Sequence, residues 1–182
     1  MRTKTKTKPR RAAGPASERI CSDCGSPMVS RRQAHRFPMA GDLSATLEDI
    51  EVSRCSKCSY YQAGIDQPEA LARTVAAAVA RKRSRLVADE ILFLRGHLRL
   101  TGSELARVLG VTKGTISRWE NGHEAIGTTP DHLLRALVML QDGGEPAARG
   151  ILAQIEDAGD GKPIKLTIRQ AGPGAWEVAK AA

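Results

Sequence analysis

Aromatic side chains are scarce in this chain: two Phe, two Tyr and two Trp, 3% of 182 residues. Binding single-stranded nucleic acid by base stacking needs several exposed rings, and this supply barely furnishes the cores. Long apolar runs are lacking too. The longest, Val75–Ala80, falls far short of the roughly 20 residues that a spanning helix needs, so no membrane role is expected. The basic N-terminus carries no apolar segment of the secretory kind. A cytoplasmic protein is therefore expected, in a compartment that keeps thiols reduced. Its four cysteines then need an explanation other than disulfides. Nothing resembles a catalytic triad, a phosphate-cradling glycine loop or a paired-carboxylate site, so no enzymatic activity is expected.

What the chain has is positive charge, unevenly placed. Lys and Arg number 28 against 20 Asp and Glu, for a net charge of +8. Residues 1–19 hold seven Lys/Arg and one acid, so +6 of that charge sits in the first tenth of the chain. With no apolar periodicity, this arm cannot offset the entropy of ordering and reads as disordered. It serves either as a solubilising tail or as a basic arm adding phosphate contacts. A second cluster, Arg81, Lys82, Arg83 and Arg85, precedes the best-defined domain. Arg81, Lys82 and Arg83 are candidate phosphate contacts, although a solvated helix face would carry the same residues.

Residues 20–65 form a cysteine module. Cys21 and Cys24 make one C-x-x-C pair and Cys55 and Cys58 another, with thirty residues between the pairs. Two residues between cysteines let both sulfurs of one turn reach a single ion, while amides of that turn hydrogen-bond the thiolates. Four thiolates close a tetrahedral site with no open position for water. One structural Zn2+ is the expected cofactor; redox pairs and catalytic zinc are the weighed alternatives. Between the pairs, Val29–Phe37 and Ala45–Arg54 alternate over short stretches, with Pro38, Gly41 and Asp42 as turn signals, so a few short strands are expected.

Helical signals dominate from there. Asp66, Gln67, Pro68 and Glu69 read as a helix start with Asp66 as N-cap and Pro68 in the first turn. Leu71, Val75 and Val79 follow at helical spacing, giving a linker helix within 66–85. Residues 86–157 predict five helices. The first carries Ile91, Leu92, Leu94, Leu98 and Leu100. Thr101 and Glu104 form a capping box opening the second, which Gly110 stops. Thr112 caps the third, which ends at Asn121 and Gly122. The fourth runs from about Pro130 with Leu133, Leu134, Leu137, Val138 and Leu140, and the fifth spans Pro146–Ile155. Residues 158–182 form a tail whose alternation and turn at Gly172, Pro173 and Gly174 fit a short hairpin or a frayed end. The fold class expected is mainly α with a small β zinc-binding module: a four-cysteine domain followed by a five-helix domain.

Segment 101–122, TGSELARVLGVTKGTISRWENG, is two short helices about a tight turn. Gly110 permits φ > 0 there, Ala106 lets the helices approach, and Val111 and Ile116 fill the angle between them. The second helix then projects its first residues, Thr112, Lys113, Gly114, Thr115, Ser117 and Arg118, toward a major groove. Lys and Arg donate to guanine O6 and N7, and Thr and Ser to bases or phosphates. Trp119 reads as packing and Glu120 as a helix-end or salt-bridge residue. His97, His123 and His132 carry no ligand pattern.

The residues Leu105, Ala106, Leu109 to Thr112 and Ile116 to Gly122 resemble the Cro/repressor (Xre) type of helix-turn-helix. With four cysteines upstream, the chain is similar over about residues 20–157 to the MqsA-type antitoxins, zinc-finger plus helix-turn-helix proteins also described as YgiT-type. That resemblance implies Cys21, Cys24, Cys55 and Cys58 as zinc ligands and a zinc domain that grips a protein toxin. It also implies a helix-turn-helix domain that dimerises, binds a double-stranded DNA operator and represses its own operon, with Arg118 facing DNA. Gly114 departs from the pattern, since a base-reading polar side chain belongs there. The alternative is a stand-alone zinc-stabilised regulator without a toxin.

Overall fold

The computed structural model describes residues 19–143 and 162–181. In chain order the elements are β1 (Met28–Ala40), β2 (Leu43–Cys55), β3 (Tyr61–Ala63), α1 (Pro68–Ala80), α2 (Ala88–His97), α3 (Gly102–Leu109), α4 (Lys113–Glu120), α5 (Thr128–Gly143), β4 (Leu166–Gly172) and β5 (Ala175–Ala181). Contacts divide them into two units: residues 19–32 with 51–64, and residues 33–50 with 65–143 and 162–181. The β1–β2 hairpin contributes one stretch of each strand to each unit.

The smaller unit is a three-stranded antiparallel ribbon. β3 pairs with β2 through Val52 and Ala63, Ser53 and Gln62, and Arg54 and Tyr61. Its buried apolar side chains, besides Cys21, are Met28 and Val52, with Ser26 and Ser53 buried beside them. Ser53 is satisfied by the Ser30 hydroxyl at 2.8 Å.

In the larger unit, Leu43, Ala45 and Leu47 are buried at alternate positions of β2, as a strand with one covered face requires. The alternation slips by one at Glu48 and Asp49 and resumes at Ile50. Asp49 has φ of 53°, the left-handed residue expected of a β-bulge. β4 lies parallel to β2, with Ala45 opposite Leu166 and Leu47 opposite Ile168, and β5 closes antiparallel on β4. Leu71, Val75 and Val79 of α1 are fully buried, and α1 packs on β5, α2 and α5. The Trp176 indole donates to Asp66 O at 3.0 Å, and the Thr74 hydroxyl donates to Trp176 O at 3.3 Å. These bonds fasten the C-terminal hairpin to the start of α1.

Two expectations change, and the open reading of the tail is decided. The β structure is not confined to the cysteine module. The hairpin tip belongs with the helices, because its apolar face and that of β4 are buried in the same unit. The C-terminal tail is a formed hairpin. Asp66 is not the N-cap of α1: that position is Gln67, at φ of 51°, with no side-chain cap, and Pro68 opens the helix. Asp66 instead accepts from Gln170 and Trp176. Helices α2 to α5 match the first four of the five expected, while the fifth, Pro146–Ile155, lies outside the described residues, as does the arm before Arg19.

Candidate metal centre and nucleic-acid interface

Each cysteine pair sits in a tight turn of the smaller unit. Gly25 N donates to Cys21 O and Cys21 N to Ser26 O, both at 2.9 Å. Gly25 takes φ of 70° with open space around it, so its backbone conformation, not crowding, calls for glycine. The second turn is held by Cys55 N donating to Tyr60 O at 3.0 Å, and Ser56 N and Oγ tie it to Pro27 O.

These turns bring the sulfurs of Cys21, Cys24, Cys55 and Cys58 within 4.8 Å of one another. Cys24 Sγ lies 3.5 Å from Cys55 Sγ and 3.7 Å from Cys58 Sγ, and Cys21 Sγ lies 3.6 Å from Cys58 Sγ. Zinc–sulfur bonds of about 2.3 Å in a tetrahedron require sulfurs about 3.8 Å apart. Disulfides require about 2.05 Å, and all four thiols are free. The donor set therefore fits one metal ion. Lys57 N and Cys58 N both point at Cys55 Sγ, at 3.3 and 3.4 Å, as thiolate-stabilising amides would. Hydrogen bonds from the Ser26 side chain and backbone, then from Cys55, bring the Cys24 thiol down to about 6. The Tyr60 amide draws Cys58 down, but its hydrogen bonds with the other three cysteines and desolvation outweigh that and push it up to about 12. A cation bound among the four sulfurs would favour the thiolate form that metal ligation requires.

In the larger unit, α3 and α4 make the turn expected from sequence. The Thr101 hydroxyl accepts from Glu104 N at 3.2 Å, and Glu104 Oε2 accepts from Thr101 N at 2.7 Å. Gly110 ends α3 at φ of 69°. Thr112 caps α4 by accepting from Thr115 N at 3.1 Å. Ile116 and Trp119 face inward and are buried, while Thr112, Lys113, Gly114, Ser117 and Arg118 are exposed and Thr115 half-buried. The six candidate reading residues thus share the outer surface of α4. Glu120 forms a two-pronged ion pair with Arg95, at 2.5 and 3.2 Å, tying the end of α4 to α2.

The basic cluster divides. Arg81 and Arg83 are exposed. Lys82 is not: its side chain is 8% exposed and pairs at 2.5 Å with Glu90, which is fully buried. Lys82 also donates to Lys162 O at 3.0 Å, and burial lowers its pKa ahead of the opposing effect of Glu90. The reason lies in α5. Buried Arg135, paired with Asp131 at 2.8 Å, donates to the carbonyls of Ala80, Lys82 and Ser84. That grip gathers the loop after α1 around a buried guanidinium, and Lys82 turns to Glu90. Lys82 is therefore a structural ion-pair residue and, unlike Arg81 and Arg83, is not displayed for a phosphate contact.

Sequence reasoning missed Arg135, Asp131 and Glu90, as well as Glu124, which pairs with Arg118 at 2.8 Å. An i,i+4 Asp/Arg pair on α5 was a visible signal for the first two, but its burial was not. His97 is paired with Asp142 at 2.6 Å and stacks on Phe93.

No helix among the described residues is long and apolar enough to cross a membrane. A comparison with curated proteins gave no match. Residues 91–135, from within α2 to the first half of α5, match the family model described as Helix-turn-helix. That match suggests a DNA-binding transcription regulator carrying, in its other unit, four cysteines that can hold a metal ion.

Proposed function

We propose that this chain is a cytoplasmic, sequence-specific repressor of transcription that binds double-stranded DNA, with one structural zinc ion in its cysteine module. The observation that carries the reading is the outer surface of α4, where Lys113, Ser117 and Arg118 are exposed around a capped helix start. Backbone amides there suit phosphate, and the side chains suit base edges. Arg81 and Arg83 add phosphate contacts that position without specifying. One such helix reads few base pairs. A homodimer reading half-sites about 34 Å apart would supply the rest, and exposed Leu133 and Leu140 on α5 are compatible with such pairing. Repression then follows from occupancy of a promoter, with no enzymatic step.

The same chain reads as the antitoxin of a toxin–antitoxin pair. Ile20, Val29 and Tyr61 of the cysteine unit are 70%, 54% and 48% exposed, an apolar display that suits a protein partner. The test expresses this chain, alone tagged, with the product of the adjacent reading frame, and assays DNA upstream of its own gene. A stoichiometric complex lost on Cys24→Ser, with specific binding to that DNA, supports both roles. DNA binding without a complex leaves a stand-alone regulator, and absence of specific DNA binding refutes the repressor.

A further inference from the structure

The surface of α4 carries a hydrogen-bonded string that runs past the recognition residues into the following loop. Thr112 Oγ1 and Thr115 Oγ1 are 2.9 Å apart. Arg118 Nη2 donates to Thr115 Oγ1 at 3.2 Å, and Arg118 Nε donates to Glu124 Oε2 at 2.8 Å. Residues 112, 115 and 118 repeat every three positions and share one face. The guanidinium is thus held from two sides although Arg118 and Glu124 are about half exposed, at 52% and 50%. Its remaining nitrogen, Nη1, lies over Gly114: a Cβ added there would sit 3.8 Å from Nη1 and 3.6 Å from Thr112 Oγ1. A methyl group would just fit; a longer side chain would occupy the space that the guanidinium takes.

We propose that Glu124 is a positioning residue for DNA reading. It draws the Arg118 guanidinium along α4 over Gly114, so that Arg118 takes the place of the side chain that residue 114 lacks. This rests on the DNA-binding function proposed above. Arginine is rich in rotamers, and a guanidinium ordered before binding loses less freedom on meeting a guanine edge. A carboxylate on a DNA-facing surface also repels phosphate and weakens binding to every sequence. Glu124 therefore lowers affinity and raises discrimination, two effects of opposite sign that a plain surface acid would not combine. Gly114, which departs from the expected pattern, becomes the vacancy that makes this arrangement fit.

The test is a binding-site selection on the full chain, followed by affinities for the selected site, its single-base variants and random DNA. In Glu124→Gln, affinity for random DNA should rise, while discrimination at one base pair of each half-site falls roughly five- to a hundredfold, the range of one bidentate contact. Gly114→Gln should change the base preferred at that same pair, because the new side chain displaces Arg118. In the free chain, the Arg118 Nε–H resonance should be ordered and become mobile in Glu124→Gln. A Glu124→Gln profile with unchanged base preferences, or tighter by one factor on all sequences, overturns the positioning role alone. A mobile Nε–H in the wild-type chain does the same. A wild-type chain that prefers no sequence overturns the DNA-reading function and this role with it.

Discussion

Removing the metal, by chelation or by Cys24→Ser, should unfold part of the cysteine module and leave the rest standing. The smaller unit buries Met28 and Val52 as its apolar core beside Cys21. Two such side chains are worth about 3–6 kcal/mol in total. A structural zinc site commonly supplies about 10–16 kcal/mol, more than even the upper figure for the apolar core. Residues 33–50 are different. Leu43, Ala45, Leu47 and Ile50 are buried in the larger unit, where β2 also pairs with β4, and none of that depends on sulfur. Hydrogen exchange read by mass spectrometry resolves the two stretches. Amides of residues 28–32 and 51–63 should lose protection by about three decades or more, since even 4 kcal/mol corresponds to that factor. Amides of residues 43–50 should keep theirs. Loss across 28–63 as one block would show a single cooperative domain and refute the division. Unchanged exchange everywhere, with four thiols left free to alkylation, would refute the metal as the stabilising element.

Arg118→Ala should weaken specific DNA binding by about 1–3 kcal/mol with little change on random DNA; equal loss on both, in a titration at fixed salt, would reduce Arg118 to a phosphate contact. Asp131→Ala should cost about 3–5 kcal/mol in urea unfolding, because Arg135 is left buried without its counter-charge; a loss under 1 kcal/mol would mean that the carbonyls of Ala80, Lys82 and Ser84 suffice. Thr101→Ala removes the cap of α3 and should cost about 0.5–2 kcal/mol by thermal unfolding. Since hydrogen bonds from the Thr101 backbone and side chain hold the Glu104 carboxyl below its ordinary value, this cap is at full strength above the ordinary carboxylate range and is lost as pH falls through the lowered value. Thr101→Ala should weaken that acid sensitivity without abolishing it, because the amide of residue 101 still donates to Glu104. Deleting residues 1–19 should flatten the dependence of log K on log salt; an unchanged slope makes the arm a tail only.

Much of the helical region was legible because its signals are local. Thr101 with Glu104, Gly110 and Thr112 act within one turn of themselves, so spacing alone identifies them. The cysteine cluster was legible for the same reason, each pair closing its own knuckle. The sheet was not. Leu43 to Leu47 and Leu166 to Ile168 each show ordinary alternation, but nothing in either stretch says that the two lie side by side, with five helices among the described residues between them. The C-terminal hairpin that carries β4 is held to α1 by the hydrogen bonds of Trp176 and Thr74, which join residues about a hundred positions apart. The slip at Asp49 also interrupts the period of β2, and it lies hidden within the alternating stretch Ala45–Arg54.

The basic run after α1 shows why charge alone does not locate a binding surface. Arg81, Lys82 and Arg83 are equivalent as letters, yet one of them is the counter-ion of a buried glutamate. The selection is made by Arg135, fifty-odd residues away, whose three carbonyl acceptors fix the loop. A guanidinium buried beside Asp131 needs those acceptors, because its donors would otherwise be desolvated without partners. The loop that satisfies it turns Lys82 from the outer surface toward Glu90, whose carboxylate also accepts from Val87 N and Ile164 N. Glu90 thereby secures the entry to β4 as well as α2. In that light Arg81 and Arg83 are the exposed residue of a structural requirement. Replacing them with Ala should reduce binding to all DNA alike and leave thermal stability unchanged, whereas Lys82→Ala should lower stability first, since it leaves Glu90 buried without its cation. A Lys82→Ala chain that melts like the wild type and loses only DNA affinity would return Lys82 to the phosphate-binding surface.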